Sequence, residues 1–110
     1  MIDWPRVTEL RDEIGAEDFD DVVELFLEEV EIKIEELRKG APEDTLETKL
    51  HFLKGSALNL GFSEFSTICQ SGETAAVQGN FKAINIPATL ASYDRSRRAF
   101  LSGLEALSAA

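Results

Sequence analysis

Three residues of this chain are of the right types, and close enough together, to do chemistry: His51, Lys54 and Gly55. His51 is the only histidine. It sits in a stretch where Leu46, Leu50, Leu53, Ala57 and Leu60 recur three and four residues apart, the apolar stripe of an amphipathic helix. With the centre of that stripe at zero, a turn of about 100° per residue puts His51 about 140° away, Lys54 about 80° and Gly55 about 180°. The imidazole therefore points away from the core, and Lys54 and Gly55 follow it one turn on, at i+3 and i+4. A glycine inside a helix costs about 1 kcal/mol relative to alanine. Here it leaves a notch through which something bulky can approach the imidazole. Lys54 sets a cation near a ring nitrogen on which a phosphoryl group would bring about −1.5 to −2 charges. A nucleophilic imidazole, a clear path to it and a cation for the phosphoryl oxygens are what phosphoryl transfer to histidine requires.

The elements that must position these groups are helices. Strand signals are weak, since no sustained period-2 alternation appears. A first helix is expected over 3–14, with Asp3 as N-cap, Pro5 in the first turn and Gly15 closing it. A second, over 18–39, has an inner stripe of Phe19, Val22, Val23, Phe26, Val30, Ile34 and Leu37. Its other face is acidic and reads as a solvated helix face. The third spans 43–60, with Glu43 and Asp44 in its first turn and Gly61 as its C′ residue. The fourth, over 63–79, takes Ser63 as N-cap, and a loop from Asn80 to Ile86 leads to a fifth over 87–108. Short connections make neighbours antiparallel, so the expected architecture is all-α: an up-down-up-down four-helix bundle with an additional short N-terminal helix, forming a single domain over 1–110.

The hairpin of the third and fourth helices turns near Phe62. Reflecting position 51 through position 62 gives position 73, which brings Glu73 towards His51. A carboxylate accepting a bond from one ring nitrogen would set the tautomer and leave the other nitrogen as nucleophile. Glu47, at i−4 on the same helix, competes for that role and for pairing with Lys54. Phe52, Leu58 and Phe62 fall off the main stripe near the histidine and are expected to form an exposed apolar contact surface.

Other chemistries lack their residues. A di-iron bundle needs Glu-x-x-His pairs, and one Cys with one His cannot build a structural zinc site. Cys69 reads as a buried small apolar residue, and Trp4 as the side chain that packs the first helix onto the rest. The formal net charge of −10 argues against a nucleic-acid or anionic-membrane surface. No apolar run approaches the roughly 20 residues of a membrane span. The single cysteine fits a reducing cytoplasm.

The run His51-Phe52-Leu53-Lys54-Gly55-Ser56-Ala57-Leu58-Asn59-Leu60-Gly61 resembles the signature of histidine phosphotransfer (HPt) domains: His, any, Leu, Lys, Gly, Ser, a small residue, two variable residues, an aliphatic residue and Gly. Ala57 stands where serine is common, which keeps the small size. The stretches Leu25–Glu29 and Cys69…Glu73 are also family-like, so the resemblance covers roughly residues 18 to 80, and the last helix fits by architecture alone.

The resemblance implies a phosphorelay intermediate. His51 would accept a phosphoryl group from a receiver-domain aspartate and pass it to another receiver, in response regulators or hybrid histidine kinases. Lys54 would stabilise the phosphoryl charge, Gly55 would give access and Glu73 would orient the ring. Such a protein has no kinase or nucleotide-binding activity and no cofactor of its own, magnesium being supplied by the receiver. The absence of a G-x-x-x-x-G-K-[ST] loop agrees. A cytoplasmic monomer is expected, stand-alone rather than excised from a larger kinase. The alternative is an HPt-like module that is not phosphorylated and inhibits a receiver or kinase by binding it.

Overall fold

The computed structural model describes residues 1–109. The chain is all-α, with helices α1 Trp4–Ile14, α2 Ala16–Arg38, α3 Glu43–Leu60, α4 Ser63–Val77 and α5 Ile86–Ala109, and a short 3₁₀ turn at Phe81–Ala83. α3 falls on the expected residues. The other boundaries lie within two residues of the expected ones, and several of the shifts have a local cause.

α1 opens as expected, with Asp3 Oδ1 accepting from the Arg6 amide at 3.2 Å. A single residue separates it from α2. Gly15 takes φ +99°, a conformation that L side chains rarely adopt. Its amide donates to Arg11 O, and its carbonyl accepts from Asp18 and Phe19. One glycine thus closes α1 and starts α2 two residues earlier than the expected Asp18. α4 stops at Val77, with Gly79 left-handed two residues beyond its end. α5 begins one residue early because Asn85 caps it, its Oδ1 accepting from the Ala88 amide at 3.0 Å.

The α3–α4 turn departs most from expectation. α3 ends in a Schellman arrangement: Gly61 is left-handed, the Phe62 amide donates to Ala57 O and the Gly61 amide to Leu58 O. Ser63 does not cap α4. Its hydroxyl and its amide both donate to Met1 O. The Asp3 amide donates to Gly61 O at 2.7 Å, so the N-terminal residues lie antiparallel across the turn. This contact also requires Gly61 to lack a side chain, since a Cβ there would stand 2.8 Å from Asp3 O.

The helices pack in the order α2 on α3, α3 on α4, α4 on α5 and α5 back on α2, with α1 across α2 and α3. The core runs along the middle of the ring through Ile34, Leu50, Leu53, Phe65 and Cys69. At the turn end, Phe62 meets Phe100 edge-on and Phe65 lies against Tyr93. Trp4 stacks on Phe100, tying α1 to α5, as the sequence suggested for it.

Candidate functional site

His51 projects from the outer face of α3 with its side chain 70% exposed. One turn on, a methyl group built on Gly55 would meet nothing within 4 Å, so the helix is open there. α4 approaches α3 closely because Gly72 has no side chain: a Cβ there would stand 2.9 Å from Leu50 Cδ1. The next residue along α4 is Glu73, whose carboxylate thereby comes within reach of the imidazole.

Glu73 holds two partners at once. Oε2 lies 2.5 Å from His51 Nδ1, and Oε1 accepts from Lys54 Nζ at 2.7 Å. Its side chain is only 12% exposed, yet its acidity is increased rather than suppressed. The hydrogen bond from Lys54 is the largest influence lowering its pKa; burial opposes it, and the bond to His51 adds to the lowering. An ionised carboxylate can only accept hydrogen bonds. Nδ1 of His51 therefore carries a proton and donates, and in the neutral tautomer that this bond selects Nε2 holds the lone pair.

Lys54 is largely covered. Only 21% of its side chain is exposed, and Nζ also donates to Gln70 Oε1 at 3.0 Å. Its partners are on α4, while Glu47 is exposed and takes no part in this network. Gln70 is held in turn, donating from Nε2 to Thr74 Oγ1. Sequence reasoning missed Gln70, although a signal was present. Reflecting position 54 through position 62 gives position 70, the same construction that pairs position 51 with position 73.

The apolar surface around the histidine is smaller than expected. Leu58 is 56% exposed and Phe52 is half-buried, but Phe62 is only 1% exposed. It lies in the turn rather than on the helix, where its ring packs against Phe100 and Tyr93 and the N-terminal residues pair with the backbone beside it. Cys69, one turn before Glu73, is fully buried, and burial pushes its thiol up to about 12, so it offers no nucleophile at neutral pH. Among the described residues, no three of His, Cys, Asp and Glu gather as a metal site, and no helix is long and apolar enough to cross a membrane.

A family model described as Hpt domain matches residues 21–110, extending through α5, which the motif resemblance does not reach. No curated protein and no solved structure matches the chain.

Proposed function

Because this chain belongs to the Hpt domain family, whose members carry phosphoryl groups in two-component phosphorelays and are not kinases, we propose that His51 takes a phosphoryl group from the aspartate of one receiver domain and passes it to the aspartate of another. The observation that carries this reading is the His51 Nδ1–Glu73 bond, which commits one ring nitrogen and, in the neutral ring, leaves the other free as nucleophile beside an open notch at Gly55.

In this reading the lone pair of Nε2 attacks the phosphorus of an aspartyl phosphate. An N–P bond forms, the P–O bond to the aspartate breaks, and the aspartate leaves as a carboxylate. The proton on Nδ1 stays with the bond to Glu73, whose negative charge balances the positive charge that the ring gains. Lys54 lies one turn from the new group and meets its oxygens as a cation. Passing the group on is the same displacement in reverse, with the second receiver's carboxylate as nucleophile. The magnesium ion that aids the reaction comes with the receiver, which docks over Gly55 against Phe52 and Leu58.

We take the chain as one domain over 1–110, acting as a cytoplasmic monomer, with α2 to α5 as an up-down-up-down bundle and α1 as the additional helix. Pairings that run in opposite directions between α3 and α4, and between α4 and the chain that leads into and through α5, support the bundle. His51 meets Glu73 while Lys54 meets Gln70, and Ser92 donates to Glu64 while Ile84 packs near Gly72.

The test is transfer itself. Receivers phosphorylated with a radiolabelled acyl phosphate, with magnesium, are incubated with the chain. Acid-labile label should appear on the chain and move to a second, unphosphorylated receiver. A chain that binds the receiver yet takes no label from it would overturn the reading in favour of a module that acts by binding alone.

A further inference from the structure

The α2/α5 seam lies on the far side of the ring of helices from the α3/α4 seam that holds His51. It is not closed. A groove of about 420 Å³ runs along it, with Leu27, Leu101 and Leu104 on its floor. Leu101 is 37% exposed there. Along the α2 wall stand Asp20, Glu24 and Glu28, one turn apart and all exposed. At one end Arg97 Nε lies 2.8 Å from Glu31 Oε1. It is the only cation among the described residues that line the groove. Its charge is thus committed, and none of the other three carboxylates has an ion-pair partner among the described residues.

We infer that this groove is a second docking surface, and that its occupant is a basic amphipathic helix of another protein. An apolar floor calls for apolar residues along one side of the occupant. Carboxylates spaced by one turn call for lysines or arginines flanking that side. A helix also brings a backbone already satisfied, as a groove wall made of side chains demands. From Asp20 to Glu31 the wall runs about 17 Å, at about 1.5 Å per residue, which matches about three turns. A second copy of the chain is a poor fit, since each copy carries a net charge of −10. Because the groove and His51 lie on opposite seams, the helix can stay bound while a receiver occupies the histidine face. The surface does not depend on His51 being a phosphoacceptor.

The test uses the full chain, isotope-labelled, and a synthetic peptide of about three helical turns with leucines at i, i+4 and i+7 flanked by lysines. A scrambled peptide of the same composition is the control. Expected are saturable binding, shift changes centred on Asp20 to Glu28 and on Leu101 to Leu104, and unchanged signals at His51 and Gly55. Binding should weaken by about tenfold or more for the scrambled peptide and for the Glu24→Lys/Glu28→Lys variant. Leu101→Asp gives a second, independent variant with the same expected loss. The inference is overturned by any of four results: no saturable binding, equal binding of the two peptides, insensitivity to both variants, or a footprint centred on α3. Self-association through the groove, seen by sedimentation and competed by the peptide, would overturn the stated occupant as well.

Discussion

His51 and Glu73 are 22 residues apart in the chain and 2.5 Å apart in space, on facing turns of α3 and α4. Replacing Glu73 with alanine removes the acceptor of the Nδ1 proton and frees the ring to change tautomer. Phosphoryl uptake should then slow by about 10- to 100-fold, as expected for a reacting group set loose from its orienting partner. Glu73→Gln keeps an amide oxygen at the same place and should recover much of that loss. Equal rates for wild type and Glu73→Ala, measured by rapid quench, would remove Glu73 from the mechanism.

Glu73 also makes stability depend on pH, with a definite sign. Its folded-state pKa lies below the ordinary 4.5, chiefly through the Lys54 bond. Folding therefore favours the ionised form. The stabilisation is present in full above the unfolded value and is lost as pH falls through the lowered folded value. The difference in melting temperature between wild type and Glu73→Gln should be constant near neutrality and shrink below about pH 4.5. A difference that grows on acidification would mean that burial, not Lys54, governs this carboxyl.

His51→Gln should fold as the wild type does, because the side chain is 70% exposed and only its bond to Glu73 is at stake. It should take up no label from a phosphorylated receiver. Acid-labile label at the wild-type level on this variant would place the acceptor elsewhere.

Lys54→Ala should affect both fold and transfer. The lysine bonds Glu73 and Gln70 and is largely covered. Losing it should cost about 1 kcal/mol, less than for a fully buried charge pair. It should also reduce the phosphohistidine present at equilibrium, since the phosphoryl oxygens lose their nearby cation. Lys54→Arg retains the charge and should retain much of the function. A variant that melts with the wild type and accumulates phosphohistidine normally would contradict both parts.

Two glycines should respond oppositely to alanine. Gly55 has open space where a Cβ would stand, so Gly55→Ala should hold or raise stability by up to about 1 kcal/mol through helix propensity. Gly55→Arg should fold but obstruct the receiver. At Gly103 a Cβ would overlap the Trp4 ring, which stacks on Phe100, so Gly103→Ala should destabilise by about 1–3 kcal/mol despite its better propensity. Denaturant titration of both variants checks the pair, and a loss at Gly55 matching that at Gly103 would mean that the notch is already filled.

Much of this protein is legible in its sequence, because a helix carries its own angular ruler. Leu46 to Leu60 define a face, and from it follow the outward direction of His51 and the open position of Gly55. The length of the α3–α4 turn adds the pairing of position 51 with 73, and of 54 with 70. What periodicity cannot supply is which distant segment covers a given surface. Phe62 has no helical phase, and it is buried because Tyr93 and Phe100 of α5 pack against its ring while residues 1–3 pair with the backbone beside it. Ser63 bonds Met1 instead of capping α4 for the same reason. Gly103 is spaced like any surface glycine until Trp4 arrives from α1. Lys54 has only Glu47 to pair with on its own helix until α4 brings Glu73 and Gln70 to it. Local sequence sets the direction in which each side chain leaves its helix; only the packing of helices decides what it meets, because that depends on contacts between residues far apart in the chain.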